Sequence, residues 1–358
     1  MSMVELLVIT AAVTSLSIYL AYIVSWIYIW RNAPIYKSQS VRHQPFTIVV
    51  AMHNEADRAP QLIRSLLAAI SSEDKIIIVA DHCTDDTVQV LQPFLSEQVQ
   101  LVDNHLQQGK KFAQSVGVNL ASTEFIVTTD ADCEVNNNWL LILDNYLSNN
   151  NLDMVIMPVK MQSNGTLFGD VLELEFAAIQ MATASSALYG NATMCNGANM
   201  AFRKEVYLSH NQNLSYVSGD DMFLLASVKQ SGGSIGYLKS TDARVSTLVP
   251  ANFRSYLRQR TRWLRKSSGY TDVDVKRLAA AMFIGNLAWP LALLSGNIFT
   301  ALSMFVIKTI ADFALLFQAR QFFSLKIKPL PLCVLAIIYP FNILFIVFMT
   351  IFRSKRKW

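Results

Sequence analysis

The sequence predicts an α/β domain on a mostly parallel sheet, set between membrane-spanning helices. Three observations carry that prediction. Apolar runs long enough to cross a bilayer stand towards both ends of the 358-residue chain. Between them, short β-prone runs alternate with helical stretches, the pattern of parallel strands joined by crossover helices. One of those runs, Phe125–Thr128, leads into Asp130 and Asp132 at the expected carboxyl edge of the sheet, where open α/β sheets bind ligands.

Composition agrees. The chain is 52% hydrophobic and only 16% charged, against about 25% charged in a soluble domain. The deficit is concentrated in the terminal runs, which implies an integral membrane protein with a soluble middle. A net charge of +4 is mild, and the basic residues are local clusters, so nucleic acid is not an expected partner. Cys83, Cys133, Cys195 and Cys333 have no metal-ligand spacing and read as reduced thiols of a cytosolic compartment.

Residues 4–30 form the first predicted span, with Tyr19, Tyr22, Trp26, Tyr28 and Trp30 as an interfacial aromatic belt. Arg31, Lys37 and Arg42 follow and place the next segment on the cytoplasmic side. Strands are expected at 46–51, 75–80, 99–102 and Phe125–Thr128, with helices at 57–70, 84–95 and 110–120. Thr84 is an expected helix cap. Further on, a helix at 139–147, a strand at 153–161 and a long helix at 170–188 are expected. Residues 195–203 read as a turn and strand, the acidic pair Asp220-Asp221 as a helix start, and 234–238 and 243–247 as strands.

Residues 252–270 predict a helix of two faces. Phe253, Tyr256, Leu257, Trp263 and Leu264 fall on one side, and Arg254, Arg258, Arg262 and Arg265 on the other. Such a helix is expected to lie in a membrane interface; an ordinary surface helix is the alternative. Apolar segments at 278–294, 298–317 and 332–352 follow. Three crossings there would put the basic tail, 353–357, on the outside against the positive-inside rule, so either the tail breaks the rule or one segment does not cross, the Pro340 segment re-entering or 298–317 lying flat. Lys308 and Asp312, four apart, are expected to pair. The expected divisions are an N-terminal anchor (1–31), a catalytic domain (44–250), an interfacial helix (251–272) and a C-terminal membrane region (277–353).

The chemistry-bearing residues follow one order along the chain. Residues i and i+2 of an extended strand end point the same way, so Asp130 and Asp132 can face one cation. Two hard oxygen ligands suit Mg²⁺ or Mn²⁺ shared with a phosphate; a plain turn is the alternative for such a pair. The ordered set is A-M-H-N-E (51–55), V-A-D-H-C-T-D-D-T (79–87), G-K-K-F-A (109–113), T-D-A-D (129–132), N-G-A-N-M-A-F-R (196–203), G-D-D-M-F-L (219–224) and Q-R-T-R-W (259–263). This set resembles the membrane-bound family-2 glycosyltransferases, the Q-x-x-R-W branch that includes cellulose, chitin and hyaluronan synthases and ceramide glucosyltransferase. The resemblance spans residues 46–270.

It implies a GT-A nucleotide-sugar fold and inverting, metal-dependent transfer from a UDP-sugar to a lipid or glycan acceptor at the bilayer. The catalytic domain would be cytoplasmic, on a bacterial inner membrane or its equivalent. Met52, His53, Asn54, Glu55, Asp81, Lys110 and Asp130 would bind the nucleotide sugar, and Asp130 with Asp132 would hold the metal. Asp221 would be the general base, with Asp220 beside it. Gln259, Arg262 and Trp263 would act on the diphosphate and the acceptor, and Asn196, Gly197 and Asn199 on the acceptor side. The chain departs from the family at His53, often Tyr, and Ala80, often a second Asp. Two rival readings stay open: a processive polysaccharide synthase of poly-N-acetylglucosamine, hyaluronan or cellulose type, and an inactive membrane scaffold of the same fold.

Overall fold

The computed structural model describes residues 2–37, 44–209, 220–267 and 269–352; Arg42, Gly219 and the basic residues at 353–357 lie outside that set. The chain divides into two units. One comprises Ala33–Gln162 and Ser186–Leu248, the other Met1–Asn32, Ser163–Ser185 and Val249–Trp358.

The first unit is built on a seven-stranded sheet. Its strands are β1 (Phe46–Met52), β2 (Lys75–Asp81), β3 (Val99–Asn104), β4 (Phe125–Thr128), β6 (Met154–Ile156), β8 (Met200–Arg203) and β9 (Ile235–Tyr237). They are ordered β3-β2-β1-β4-β8-β6-β9. Strands β5 (Cys133–Glu134), β10 (Val245–Leu248) and β7 (Val159–Gln162) form a smaller sheet in the order β5-β10-β7. The first four strands of the large sheet are mutually parallel. Residues Ile48, Val50, Ile76, Ile78, Ile126 and Val127 are fully buried. Such unbroken apolar runs are what a parallel sheet covered on both faces requires.

Helices α2 (Ala59–Ala69), α3 (Thr87–Leu91), α4 (Lys110–Leu120) and α5 (Trp139–Asn149) connect the strands, with α7 (Lys204–Ser209) and α8 (Asp220–Gln230) later in the chain. Helix α4 lies close on the sheet because Gly117 faces it. A Cβ there would stand 2.4 Å from Val49 Cγ1. The topology also fixes the site. Parallel β1, β2 and β4 deliver the residues after them to one edge. Strand β8 runs antiparallel to β4, with Met200 paired to Thr128, so the loop before β8 reaches that same edge.

Two departures from the sequence expectation have a common cause in proline. The helix expected at 84–95 shortens to α3 plus a tighter turn, Gln92–Phe94, because Pro93 ends the ladder. Thr84 caps no helix; its N–H donates to Asn54 Oδ1 at 2.7 Å. The strand expected at 153–161 is cut by Pro158 into β6 and β7, which belong to different sheets.

The second unit is helical: α1 (Met3–Asn32), most of α6 (Leu167–Leu188), α9 (Phe253–Ser267), α10 (Val273–Asn286), α11 (Ala288–Leu293), α12 (Ile298–Ala319) and α13 (Pro329–Phe352). Among the described residues three helices are long and apolar enough to cross a membrane: α1, α12 and Pro329–Thr350 of α13. The segment 278–294, expected as a span, is not one of them. It breaks at Leu287, where Pro290 has no N–H to give the carbonyl of Asn286. Helix α13 continues through Pro340.

Helix α1 packs against α10, α11 and α12. Gly285 of α10 allows a close approach, since a Cβ there would fall 2.5 Å from Tyr19 Cβ. The expected pair forms: Lys308 Nζ donates to Asp312 Oδ2 at 2.6 Å, and Tyr19 OH donates to Asp312 Oδ1 at 2.6 Å. Lys308 is 3% exposed, so the charge enters apolar surroundings already paired. Helix α9 forms over Phe253–Ser267, within the expected 252–270. Protein covers the middle of its apolar face, with Tyr256 2% and Leu257 9% exposed, while Phe253 remains 51% exposed. The neighbours are α13, through Asn342 and Phe345, and Phe168 of α6.

Candidate active site

At the carboxyl edge of β1, Met52 is buried and the chain turns sharply, with Asn54 at φ 57°. His82, after β2, is also left-handed at φ 52°. Both are polar residue types that tolerate this region. The two turns are tied together: His53 Nδ1 lies 2.6 Å from the Asp81 carbonyl, and Asn54 Nδ2 donates to Thr84 Oγ1 at 3.2 Å. Glu55 N donates to Thr87 Oγ1 at 2.8 Å. Burial, as the largest influence, pushes the Glu55 carboxyl above the usual carboxylate range.

Asp81, expected to meet the base, is 1% exposed. Its Oδ2 accepts from Gly109 N at 2.7 Å, and its Oδ1 lies 3.0 Å from Asn104 Nδ2 and 2.9 Å from His82 Nδ1. In this arrangement the carboxylate holds the loop between β3 and α4, and that loop delivers Lys110. Lys110 Nζ donates to Asp130 Oδ1 at 2.5 Å.

Asp130 and Asp132 follow β4 in a turn closed by Cys133 N to Asp130 O at 3.1 Å. Burial first, then the Asp130 carboxylate, hold the Asp132 carboxyl above the usual range; Arg58, 3.8 Å away, pulls it down. Among the described residues no three His, Cys, Asp or Glu side chains form a ready cage. Two carboxylates in one turn, the first raising the second, are nonetheless a donor set that Mg²⁺ or Mn²⁺ takes when a substrate phosphate supplies the rest. The pair fits such an ion, which would also relieve the repulsion that raises Asp132.

Asp221 joins this cluster through Gly197. Gly197 N donates to Asp221 Oδ2 at 3.2 Å, while the Gly197 carbonyl accepts from Thr128 Oγ1 at 2.8 Å. A Cβ on Gly197 would lie 3.7 Å from Asp221 Oδ2 and 3.8 Å from Lys110 Nζ. Asp221, Lys110 and Asp130 therefore converge at one point of the edge. Met222 N donates to Asp221 Oδ1 at 2.9 Å, and Asp220 opens α8.

The loop before β8 is divided. Asn196 Oδ1 accepts from Ala198 N at 3.0 Å. Asn199, expected on the acceptor side, is fully buried. Its amide donates to Pro158 O at 2.7 Å and Ala243 O at 2.8 Å, and its Oδ1 accepts from Trp139 Nε1 at 3.0 Å. It braces the fold and presents nothing to an acceptor. Gln259, Arg262 and Trp263 lie on α9 of the helical unit: Arg262 is exposed, Gln259 and Trp263 half-buried. Sequence reasoning missed Arg58, between Glu55 and Asp132, and Arg260, buried in the apolar face of α9. Arg260 was detectable, because a helical wheel puts it between Tyr256 and Leu264.

Comparison with known proteins fits this geometry. Residues 47–209 match the family model described as Glycosyl transferase family 2. The poly-beta-1,6-N-acetyl-D-glucosamine synthase of Staphylococcus epidermidis is 23% identical over 171 residues, 47% of this chain and 42% of that protein. The hyaluronan synthase of Streptococcus pyogenes is 22% identical over 260 residues, 68% of this chain and 61% of that protein. The chain thus spans about half the length of these relatives. Among solved structures, the mannosyltransferase PcManGT of Pyrobaculum calidifontis, in complex with GDP-Man and Mn²⁺, superposes with a TM-score of 0.61 at 16% identity, covering 93% of this chain and 99% of that one. The fold is that of a GT-A glycosyltransferase.

Proposed function

We propose that this chain, whose residues 47–209 form a family-2 glycosyltransferase domain, transfers a sugar from a UDP-sugar to a membrane-associated acceptor, with inversion. The convergence of Asp221, Gly197, Lys110 and Asp130 at the sheet edge carries this reading. The acceptor hydroxyl loses its proton to Asp221 as it attacks the anomeric carbon. The new C–O bond forms while the bond from that carbon to the diphosphate breaks, and UDP leaves. One displacement with no enzyme nucleophile inverts the centre.

Two backbone N–H groups aim the Asp221 carboxylate, which keeps it oriented for that proton. Lys110, steered by the loop that Asp81 holds, brings positive charge towards the diphosphate. Asp130 and Asp132 would hold Mg²⁺ or Mn²⁺, which when bound neutralises the leaving diphosphate. By the Q-x-x-R-W resemblance, Arg262 is assigned to the diphosphate and Trp263 to the acceptor.

A lipid or lipid-linked acceptor is favoured because α9 packs on α13, one of the candidate spans. The synthase names of the two relatives favour the second reading, a processive polysaccharide synthase. Product size separates them. With radiolabelled UDP-sugars and membrane lipids, the first reading expects label that partitions into organic solvent and carries one sugar or very few. A long water-soluble polymer from UDP-sugar alone would install the second.

A further inference from the structure

The mechanism above uses Arg262 and Trp263 and leaves Arg260 without a task. Arg262 is exposed, whereas Arg260 is 6% exposed in the middle of the apolar face of α9. Its guanidinium donates to Glu175 Oε2 of α6 at 2.9 Å, and Glu175 is also 6% exposed. The same guanidinium lies 4.4 Å from the centroid of Trp263 and 5.2 Å from that of Tyr256. Tyr256 is fixed in turn: its hydroxyl accepts from Asn342 Nδ2 at 2.5 Å, and its ring meets Phe168 edge-on at 5.9 Å.

A buried ion pair is a weak device for stability, because apolar residues of similar volume often serve as well or better. It is a strong device for orientation. The guanidinium is planar and forked, so the carboxylate that grips it also fixes the plane against which an indole stacks. Trp263 itself is half-buried.

We infer that Glu175 and Arg260 form a positioning pair that locks the Trp263 indole in the orientation in which it meets the acceptor. The inference rests on the transfer reaction proposed above. Neither residue touches the reacting atoms; both act through the indole.

The test uses the full chain in lipid nanodiscs with 5-fluorotryptophan incorporated, the Trp263 resonance being assigned by its loss in W263F. Wild type, E175Q and the double variant E175M/R260M are compared. E175Q strands a buried cation and risks misfolding. The double variant removes both charges, so it is expected to fold with a near-wild-type melting temperature. It is also expected to bind UDP as the wild type does. Its Trp263 fluorine line should nevertheless broaden or split. Transfer from UDP-N-acetylglucosamine to a total membrane lipid extract should fall about tenfold or more, with KM for the extract raised and KM for the nucleotide sugar unchanged. An unchanged Trp263 line, or transfer by the double variant at the wild-type rate and KM, overturns the proposal. A wild type that transfers nothing counts against the transfer reading, and the fluorine line alone then decides the pair.

Discussion

Asp221 is the residue on which the chemistry turns, and its environment makes a definite prediction. Asp221→Asn keeps the shape of the side chain but cannot take a proton. Turnover is expected to fall about 10²- to 10⁴-fold while UDP binding persists; near-normal kcat would move the base to another carboxylate, Asp220 first. Asp81 makes a different prediction. Asp81→Ala strips the partner from buried Gly109 N and one of the two acceptors from Asn104 Nδ2, which keeps Gln107 O, at a cost of about 1–3 kcal/mol. The melting temperature should drop and KM for the nucleotide sugar should rise, because Lys110 loses its anchor. A fall in stability with KM unmoved would confine Asp81 to the scaffold. The contrast shows what a sequence carries at this scale. Asp130 and Asp132 were legible because a β-prone run ends directly at them. Whether an amide or carboxylate meets a ligand or its own backbone was not legible: Asp81 and Asn199 are of suitable types but spend their polar atoms on the protein.

Elements were legible wherever hydrophobic period and length agreed, as for β1, β2, β4 and α4. The misses sit at prolines. Pro93, Pro158 and Pro290 each lack the N–H that a regular element would use, and at each the predicted element stops or divides. Helix α9 was read as a helix with the right faces, but periodicity cannot say how much of an apolar face protein covers; here protein covers the middle, at Tyr256 and Leu257, and leaves Phe253 exposed. Close packing of α4 on β1 offers a test of how the helix sits on the sheet. Gly117→Ala pushes a methyl into Val49, and overpacking of this kind costs about 1–3 kcal/mol. Thermal unfolding of the full chain in detergent should show that loss, and an unshifted midpoint would mean that α4 lies farther from the sheet.

At the scale of the whole molecule, the two C-terminal candidate spans among the described residues, α12 and Pro329–Thr350 of α13, are both predicted to cross. Two C-terminal crossings, α12 and α13, return the chain to the side from which it left. The positive-inside rule then predicts that the basic residues of 353–357 share a side with the loop after α5. In sealed membrane vesicles, a protease site in the loop after α5 and one at residue 358 should be cut in the same orientation; cutting in opposite orientations would restore a third crossing. The central claim is the reaction itself. Purified wild type, wild type with chelator, and D221N are incubated with a panel of radiolabelled UDP-sugars and membrane lipids, and label is counted in the organic phase. The account predicts label from at least one UDP-sugar with wild type alone, lost on chelation and lost in D221N. Label that survives both, or no transfer from any UDP-sugar in any phase, contradicts it.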